Sequence, residues 1–252
     1  MYRNEKKDTS DYIFGIRPTI EAIKSGKEVE KILIQTGING ELFGELNRLI
    51  REYKIPTQYV PIEKLNRITG KNHQGIIAFV SPIAFHEIES IIPTLFEQGK
   101  TPLILILDRI TDIRNFGAIT RTAECSGVNA IIVPTRGAAQ INSDALKTSA
   151  GALFKIPVCR EENLKNTIEF LKESGIQIVA CTEKTNDYYY NIDYNGPTAI
   201  IMGSEEDGIS PEYLKKSDFK GKIPLMGEIG SLNVSVACGI MLYEAVRQRQ
   251  IN

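Results

Sequence analysis

The sequence predicts an α/β protein in two parts: a small α/β domain and then a larger open α/β domain. Two observations carry this. After Pro102, short continuous apolar runs alternate with helical periodicity. LILIL (Leu103 to Leu107) and TAIIM (Thr198 to Met202) read as central parallel strands covered on both faces. Before it, the stretch Ser81 to Thr101 carries Pro82 and Pro93 and marks a boundary. At 252 residues the chain has room for two ordinary domains.

The expected domains are residues 1–82, a linker at 83–101, and residues 102–252. In the first, Arg17 to Lys24 is a short helix, with Pro18 tolerated in its first turn. Val29 to Gln35 is a strand. Glu41 to Tyr53 is an amphipathic helix carrying Leu42, Leu46, Leu49 and Ile50. Gln58 to Val60, Ile62 to Ile68 and Gly75 to Val80 follow as strand, helix and strand. Within the boundary, Glu87 to Gln98 forms a helix kinked or started at Pro93. Beyond it come a helix from Phe116 to Ser126, a strand from Ala130 to Val133, helices from Ser143 to Ala150 and from Leu164 to Glu173, and a strand from Ile176 to Cys181. A helix from Pro211 to Lys215 is capped by Ser210, and a strand from Lys222 to Leu225 leads through a glycine-containing loop to a terminal apolar helix. Ser231 or Asn233 caps that helix.

Composition excludes several classes. No run of 18 apolar residues suggests a membrane span. Met1 to Asp11 is polar and reads as a frayed tail, not a signal peptide. The four cysteines are scattered without a CxxC pair, as in a reduced cytoplasmic protein with small buried thiols. With two histidines, a histidine cage or Cys/His zinc site has too few ligands, so no metal is expected. A net charge of −1 argues against a strongly basic nucleic-acid binder. A slight excess of Lys and Arg before Pro82 is compatible with a local RNA patch.

Three loops at strand ends carry the polar groups. In the first, DRITDIRNFGAITR, Asn115 lies where loop meets helix, and Arg121 follows about 9 Å along the axis at 1.5 Å per residue. Its guanidinium suits an anion, phosphate above all, and equally suits an ordinary ion pair. The second, GSEEDG after TAIIM, is no phosphate cradle; its three acidic residues fit a cationic or hydroxyl-bearing ligand, or a solvated turn. The third holds Ser231-Leu232-Asn233. Singly each is an ordinary turn or cap, and only their convergence points to a site.

With those loops quoted, the sequence resembles the SpoU (TrmH) class of RNA ribose 2′-O-methyltransferases over nearly its whole length. The resemblance lies in Asn115-Phe116-Gly117-Ala118-Ile119-Thr120-Arg121-Thr122-Ala123, in Met202-Gly203-Ser204-Glu205 with Gly208, and in Ile223-Pro224 with Ser231-Leu232-Asn233-Val234-Ser235. FGIRPTIEAI and HQGIIAFV resemble a small ribosomal-protein-like RNA-binding domain. Ile113-Arg114 departs from the family, which commonly has a proline before the asparagine.

The resemblance implies a SPOUT-type α/β-knot domain, with a trefoil knot in its C-terminal part, and a homodimer through the knot region whose active site draws on both subunits. It implies S-adenosyl-L-methionine as cofactor, with Thr182, Gly203, Ile223 and Leu232 as its contacts. The reaction implied is methylation of a ribose hydroxyl, on a guanosine of 23S rRNA by the nearest likeness. Arg121 would bind the neighbouring phosphate and stabilise the alkoxide ahead of literal proton abstraction, which a guanidinium performs poorly. Glu205 would accept the proton or orient Arg121; Asn115, Ser231 and Asn233 would position the hydroxyl and loops. Arg17, Lys71, His73 and Gln74 are candidates for RNA contact. Cys125 and Cys238 are expected in the core. The same reaction on tRNA or another rRNA site, a noncatalytic ribosome-assembly factor and, remotely, a nicotinamide oxidoreductase are the alternatives.

Overall fold

The computed structural model describes residues 11–250; the expected frayed tail before Asp11 lies outside the described residues. The chain divides into two compact units, one running to Ala84 and including Ile141–Ser143, the other comprising Phe85–Gln140 and the chain from Asp144 on.

The first unit contains β1 (Tyr12–Phe14), α1 (Ile16–Lys24), β2 (Val29–Gln35), α2 (Glu41–Glu52), β3 (Thr57–Val60), α3 (Ile62–Ile68) and β4 (Ile76–Val80). Its sheet runs β1-β4-β2-β3, with β2 and β3 parallel and the other pairs antiparallel. Alternation along the strands divides the core. Ile32, Ile34, Ile76 and Ala78 pack with Ile20, Ile23, Leu46 and Ile50 from α1 and α2. Leu33, Val60 and Ile77 turn the other way, onto Leu65 of α3. Strand β1 was not expected, because three residues are too few to show alternation.

The second unit opens with α4 (Ile88–Glu97) and β5 (Leu103–Leu107). The stretch expected as a linker is therefore largely helix, and it belongs to this unit's core through Ile88, Ile92 and Leu95. Pro93 lies inside α4, neither starting nor ending it. There follow α5 (Ile113–Cys125), β6 (Ala130–Pro134), α6 (Ser143–Thr148), β7 (Val158–Glu161), α7 (Leu164–Glu173), β8 (Gln177–Cys181), β9 (Thr198–Met202), α8 (Pro211–Lys216), β10 (Phe219–Gly221) and α9 (Val234–Gln250). The six strands are parallel throughout, in the order β10-β8-β9-β5-β6-β7. Ile104, Ile106, Ile178, Ala199 and Ile201 face a cluster completed by Leu164, Ile168 and Leu171 of α7.

The last strand lies earlier than the expected Lys222 to Leu225. Phe219–Gly221 pairs with β8, and beyond it the Lys222 N–H donates to Asp187 O at 2.9 Å while Lys222 O accepts from Tyr189 N–H at 3.1 Å. The change of partner needs Gly221, since a Cβ there would stand 2.8 Å from Tyr189 Cα. Helix α8 starts after Ser210, but no side-chain cap forms. The Ser210 N–H instead donates to the buried Asp108 carboxylate at 2.6 Å.

Helix α9 runs 17 residues beside the sheet. At its far end the Arg249 guanidinium donates to the carbonyls of Tyr194, Thr101, Pro102 and Gly196, anchoring it at the strands' amino ends. At about 1.5 Å per residue this length brings its first turn to the strands' carboxyl ends. Asn233 stands immediately before that turn. Cys238 is buried in α9 as expected, whereas Cys125 is exposed at the end of α5.

Candidate active site

Parallel strands send all their carboxyl ends to one edge, where ligands of open α/β sheets collect. The chain leaving β5 enters α5 through Asp112, whose carboxylate accepts the Asn115 N–H at 2.8 Å and caps the helix. Asn115 is thus inside the first turn of α5, which starts three residues earlier than the expected Phe116. The chain leaving β9 folds back at once. The Ser204 N–H donates to Gly208 O and the Gly208 N–H to Ser204 O, at 3.2 and 3.0 Å. Only glycine fits at 203, because a Cβ would lie 2.1 Å from Gly208 C. Glu205 stands at the tip of this turn.

These loops meet at Glu205. Its Oε1 accepts from Asn115 Nδ2 at 3.0 Å, from Asn233 Nδ2 at 2.8 Å and from the Val234 N–H at 3.4 Å. Asn233 Nδ2 also donates to Asn115 Oδ1 at 3.0 Å, while Asn233 Oδ1 accepts from the Ser235 N–H and caps α9. Glu205 Oε2 accepts no hydrogen bond among the described residues. One oxygen is thereby saturated, and the other is left to an incoming donor.

Two cavities open on either side of this cluster. The first, about 350 Å³, is lined by Thr182, Gly203, Ile223, Ser231 and Leu232, together with Glu205. All four expected cofactor positions therefore share one cavity. Its charged lining is acidic (Glu183, Glu205, Glu206 and Asp207 against Lys184), which suits a cation. Glu183 and Lys184 were not singled out from the sequence, where nothing links the end of β8 to the other loops. Burial pushes the neighbouring Cys181 thiol up to about 12, so it offers no thiolate there. The second cavity, about 380 Å³, is lined by Arg109, Thr111, Asp112 and Asn115 and shares Glu205 and Val234 with the first.

Arg121 lines neither cavity. It is exposed on α5 and makes no hydrogen bond or ion pair among the described residues. Six residues of α-helix turn it about 120° away from Asn115. Ser231 is on the first cavity's wall and does not cap α9, a role taken by Asn233.

In the first unit, Lys71 Nζ lies 5.4 Å from the Phe14 ring centroid, and Gln74 approaches Gly15. FGIRP and KNHQG are thus neighbours, with Arg17, Lys71 and Gln74 exposed. His73 departs from expectation. It is 6 % exposed, its Nδ1 accepts the Gly75 N–H at 3.1 Å, and its Nε2–H donates to Asn66 Oδ1 at 2.8 Å. Both ring nitrogens are engaged in fixing the turn, which gives His73 a structural role.

A parallel α/β sheet with an acidic cavity and a polar cluster at its strand ends, preceded by a small α/β unit, defines an RNA-modifying transferase once its relatives are considered. Residues 102–243 match the SpoU rRNA Methylase family, and residues 12–86 match the family described as RNA 2′-O ribose methyltransferase substrate binding. The chain is 38 % identical over 94 % of its length, and 95 % of the relative's, to a Staphylococcus saprophyticus protein assigned by name to the TrmH family of tRNA/rRNA methyltransferases. A SpoU methyltransferase from Streptomyces viridochromogenes, solved with AdoMet, has the same fold: TM-score 0.61, 24 % identity, 99 % of this chain and 95 % of that one. A TrmH/SpoU tRNA modifying enzyme from A. aeolicus is 33 % identical, with TM-score 0.55, over 65 % of this chain and 85 % of that one. The chain belongs to the SpoU family of RNA methyltransferases.

Proposed function

We propose that the chain transfers a methyl group from S-adenosyl-L-methionine to a ribose 2′-hydroxyl of RNA, a guanosine of 23S rRNA in the first instance. The observation that carries the proposal is the meeting of Asn115, Glu205 and Asn233 between the two cavities. The acidic first cavity fits a sulfonium, and Gly203 lets the turn that carries Glu205 fold tightly beside it. When bound there, S-adenosyl-L-methionine supplies an already activated methyl group. The chain's own work is then alignment and proton removal. Asn115 and Asn233 hold Glu205 through Oε1, Oε2 takes the proton of the hydroxyl, and Ser231 and Leu232 close the wall beside it.

Arg121 enters this proposal from a second copy. Its exposed place on α5, away from its own cavities, suits a homodimer in which Arg121 of the partner subunit binds the phosphate beside the target ribose. Exposed Met226, Ile229, Val236 and Tyr243, in α9 and the loop before it, supply apolar surface for such a dimer. The trefoil knot, the cytoplasmic location and RNA contact by Arg17, Lys71 and Gln74 belong to the same proposal and rest on the family likeness. Among the described residues no helix is long and apolar enough to cross a membrane.

The same chemistry on tRNA is the second reading, favoured by the likeness to the A. aeolicus tRNA modifying enzyme. Ribose-methylation maps of rRNA and tRNA from cells lacking the protein separate the two: a lost 23S mark supports the first, and a lost tRNA mark with intact rRNA replaces it.

A further inference from the structure

We infer that Arg109 is a positioning residue for methyl transfer, clamping the turn that carries Glu205 to the end of β5; the inference rests on the activity proposed above. Arg109 adopts φ 59°, a left-handed conformation that long side chains seldom occupy. Its guanidinium bridges two loops. Nε donates to Asp108 Oδ1 at 3.1 Å, Nη1 to Asp207 Oδ2 at 2.9 Å and Nη2 to Gly208 O at 3.2 Å. Asp108 is 2 % exposed, and its other oxygen accepts the Ser210 N–H. One buried carboxylate and one guanidinium thus hold both the far limb of the Ser204–Gly208 turn and the chain just after it.

Stability accounts for only half of this arrangement: without the guanidinium the Asp108 carboxylate, its side chain 3 % exposed, would lose its counter-charge. The Asp207 side chain is 68 % exposed and that of Arg109 37 %, and exposed pairs of this kind add little. The bonds to Asp207 and Gly208 fall within three residues of Glu205, and Arg109 and Asp207 line the cavity that Asn115 also lines. Positive φ at 109 is the backbone geometry that aims the guanidinium across the gap, and Asp207 with Gly208 holds it there.

Arg109→Gly isolates the guanidinium, because glycine keeps the left-handed backbone without steric cost. The assay uses the full chain, S-adenosyl-L-methionine and total RNA from cells lacking the protein. Arg109→Gly is expected to lower kcat about 100-fold, the effect of a misplaced catalytic group, with KM for S-adenosyl-L-methionine nearly unchanged and a lower thermal midpoint, since buried Asp108 loses its partner. Arg109→Lys restores part of the rate, since an ammonium keeps the charge but not the fork. Arg109→Gly/Asp207→Asn is no slower than Arg109→Gly alone. Amide exchange of residues 203–208 in the free protein quickens in Arg109→Gly, a readout independent of the reaction. Unchanged exchange, a wild-type kcat, or a kcat loss matched by an equal loss of cofactor affinity overturns the clamp. Wild-type protein that methylates neither rRNA nor tRNA overturns the proposed activity instead, and the exchange measurement still decides the clamp.

Discussion

Asn115 and Asn233 stand 118 residues apart in the chain, yet the Asn233 amide donates to Asn115 Oδ1 at 3.0 Å and both donate to Oε1 of Glu205. The arrangement fixes one carboxylate oxygen and leaves its twin without a donor among the described residues. Glu205→Gln keeps an acceptor for the two asparagines and removes the proton acceptor. Its kcat is expected to fall by about 10²–10⁴, the usual worth of a positioned base, with S-adenosyl-L-methionine affinity by calorimetry nearly unchanged. Wild-type turnover in this variant would remove Glu205 from the chemistry.

The place of Arg121 makes a prediction about subunits. Arg121→Ala and Glu205→Gln homodimers are each expected to be inactive, while Arg121→Ala retains cofactor binding. Dissociated and reassociated together, they regain activity, since each mixed dimer has one site with both groups intact. Mixtures as inactive as their parents would show that Arg121 serves its own chain.

Gly203→Ala tests the close approach of the β9 loop. A Cβ there meets Gly208 C at 2.1 Å and Ile209 N at 2.2 Å, so the backbone must move. Overpacking of this kind costs about 1–3 kcal/mol. The expected outcome is a lower denaturation midpoint together with weakened S-adenosyl-L-methionine binding. A variant that binds normally would show that the turn has room to spare.

Residues of the first unit divide into two kinds. Lys71→Ala and Gln74→Ala are expected to weaken RNA binding with little change in stability, and Lys71→Ala lowers the salt slope by about one unit. His73→Ala leaves the buried Gly75 N–H without its acceptor and costs about 1–3 kcal/mol. Salt-dependent binding and urea unfolding, measured on the same proteins, separate the two. The reverse pattern would make His73 the RNA contact.

Much of this was legible before the structure. The helices Ile62–Ile68 and Leu164–Glu173 and the strands Val29–Gln35 and Thr198–Met202 have the expected bounds, because apolar period and burial agree there. Strands β1 and β7 were not seen, being too short or too charged for alternation to register. The shift from Lys222–Leu225 to Phe219–Gly221 depends on tertiary approach by Tyr189, which no local pattern records. Asn115, Glu205 and Asn233 are individually ordinary, and their convergence is expected from the placing of three loops at strand ends, with the family likeness naming their roles. Arg109 was missed because a charged residue after a buried strand looks like any loop start; only its φ and its three acceptors set it apart.

Alkaline stability follows from the thiols. Burial raises Cys159 and Cys181 to about 12 and Cys238 higher still. The folded chain therefore holds these protons more tightly than the unfolded one. Their contribution is intact below about pH 9 and is lost as pH rises toward 12, since the unfolded thiols ionise first. Urea midpoints are expected to fall between pH 9 and 11, less steeply in Cys159→Ala than in wild type. Equal slopes would contradict the burial of that thiol.

The most direct test of the central claim is a ribose-methylation map of total RNA from cells lacking the protein and from cells complemented with wild type or Glu205→Gln. One 2′-O-methyl mark, placed here on a 23S rRNA guanosine, should vanish, return with wild type and stay absent with the glutamine variant. Ribose methylation unaltered in every RNA, or fully restored by Glu205→Gln, would contradict the account.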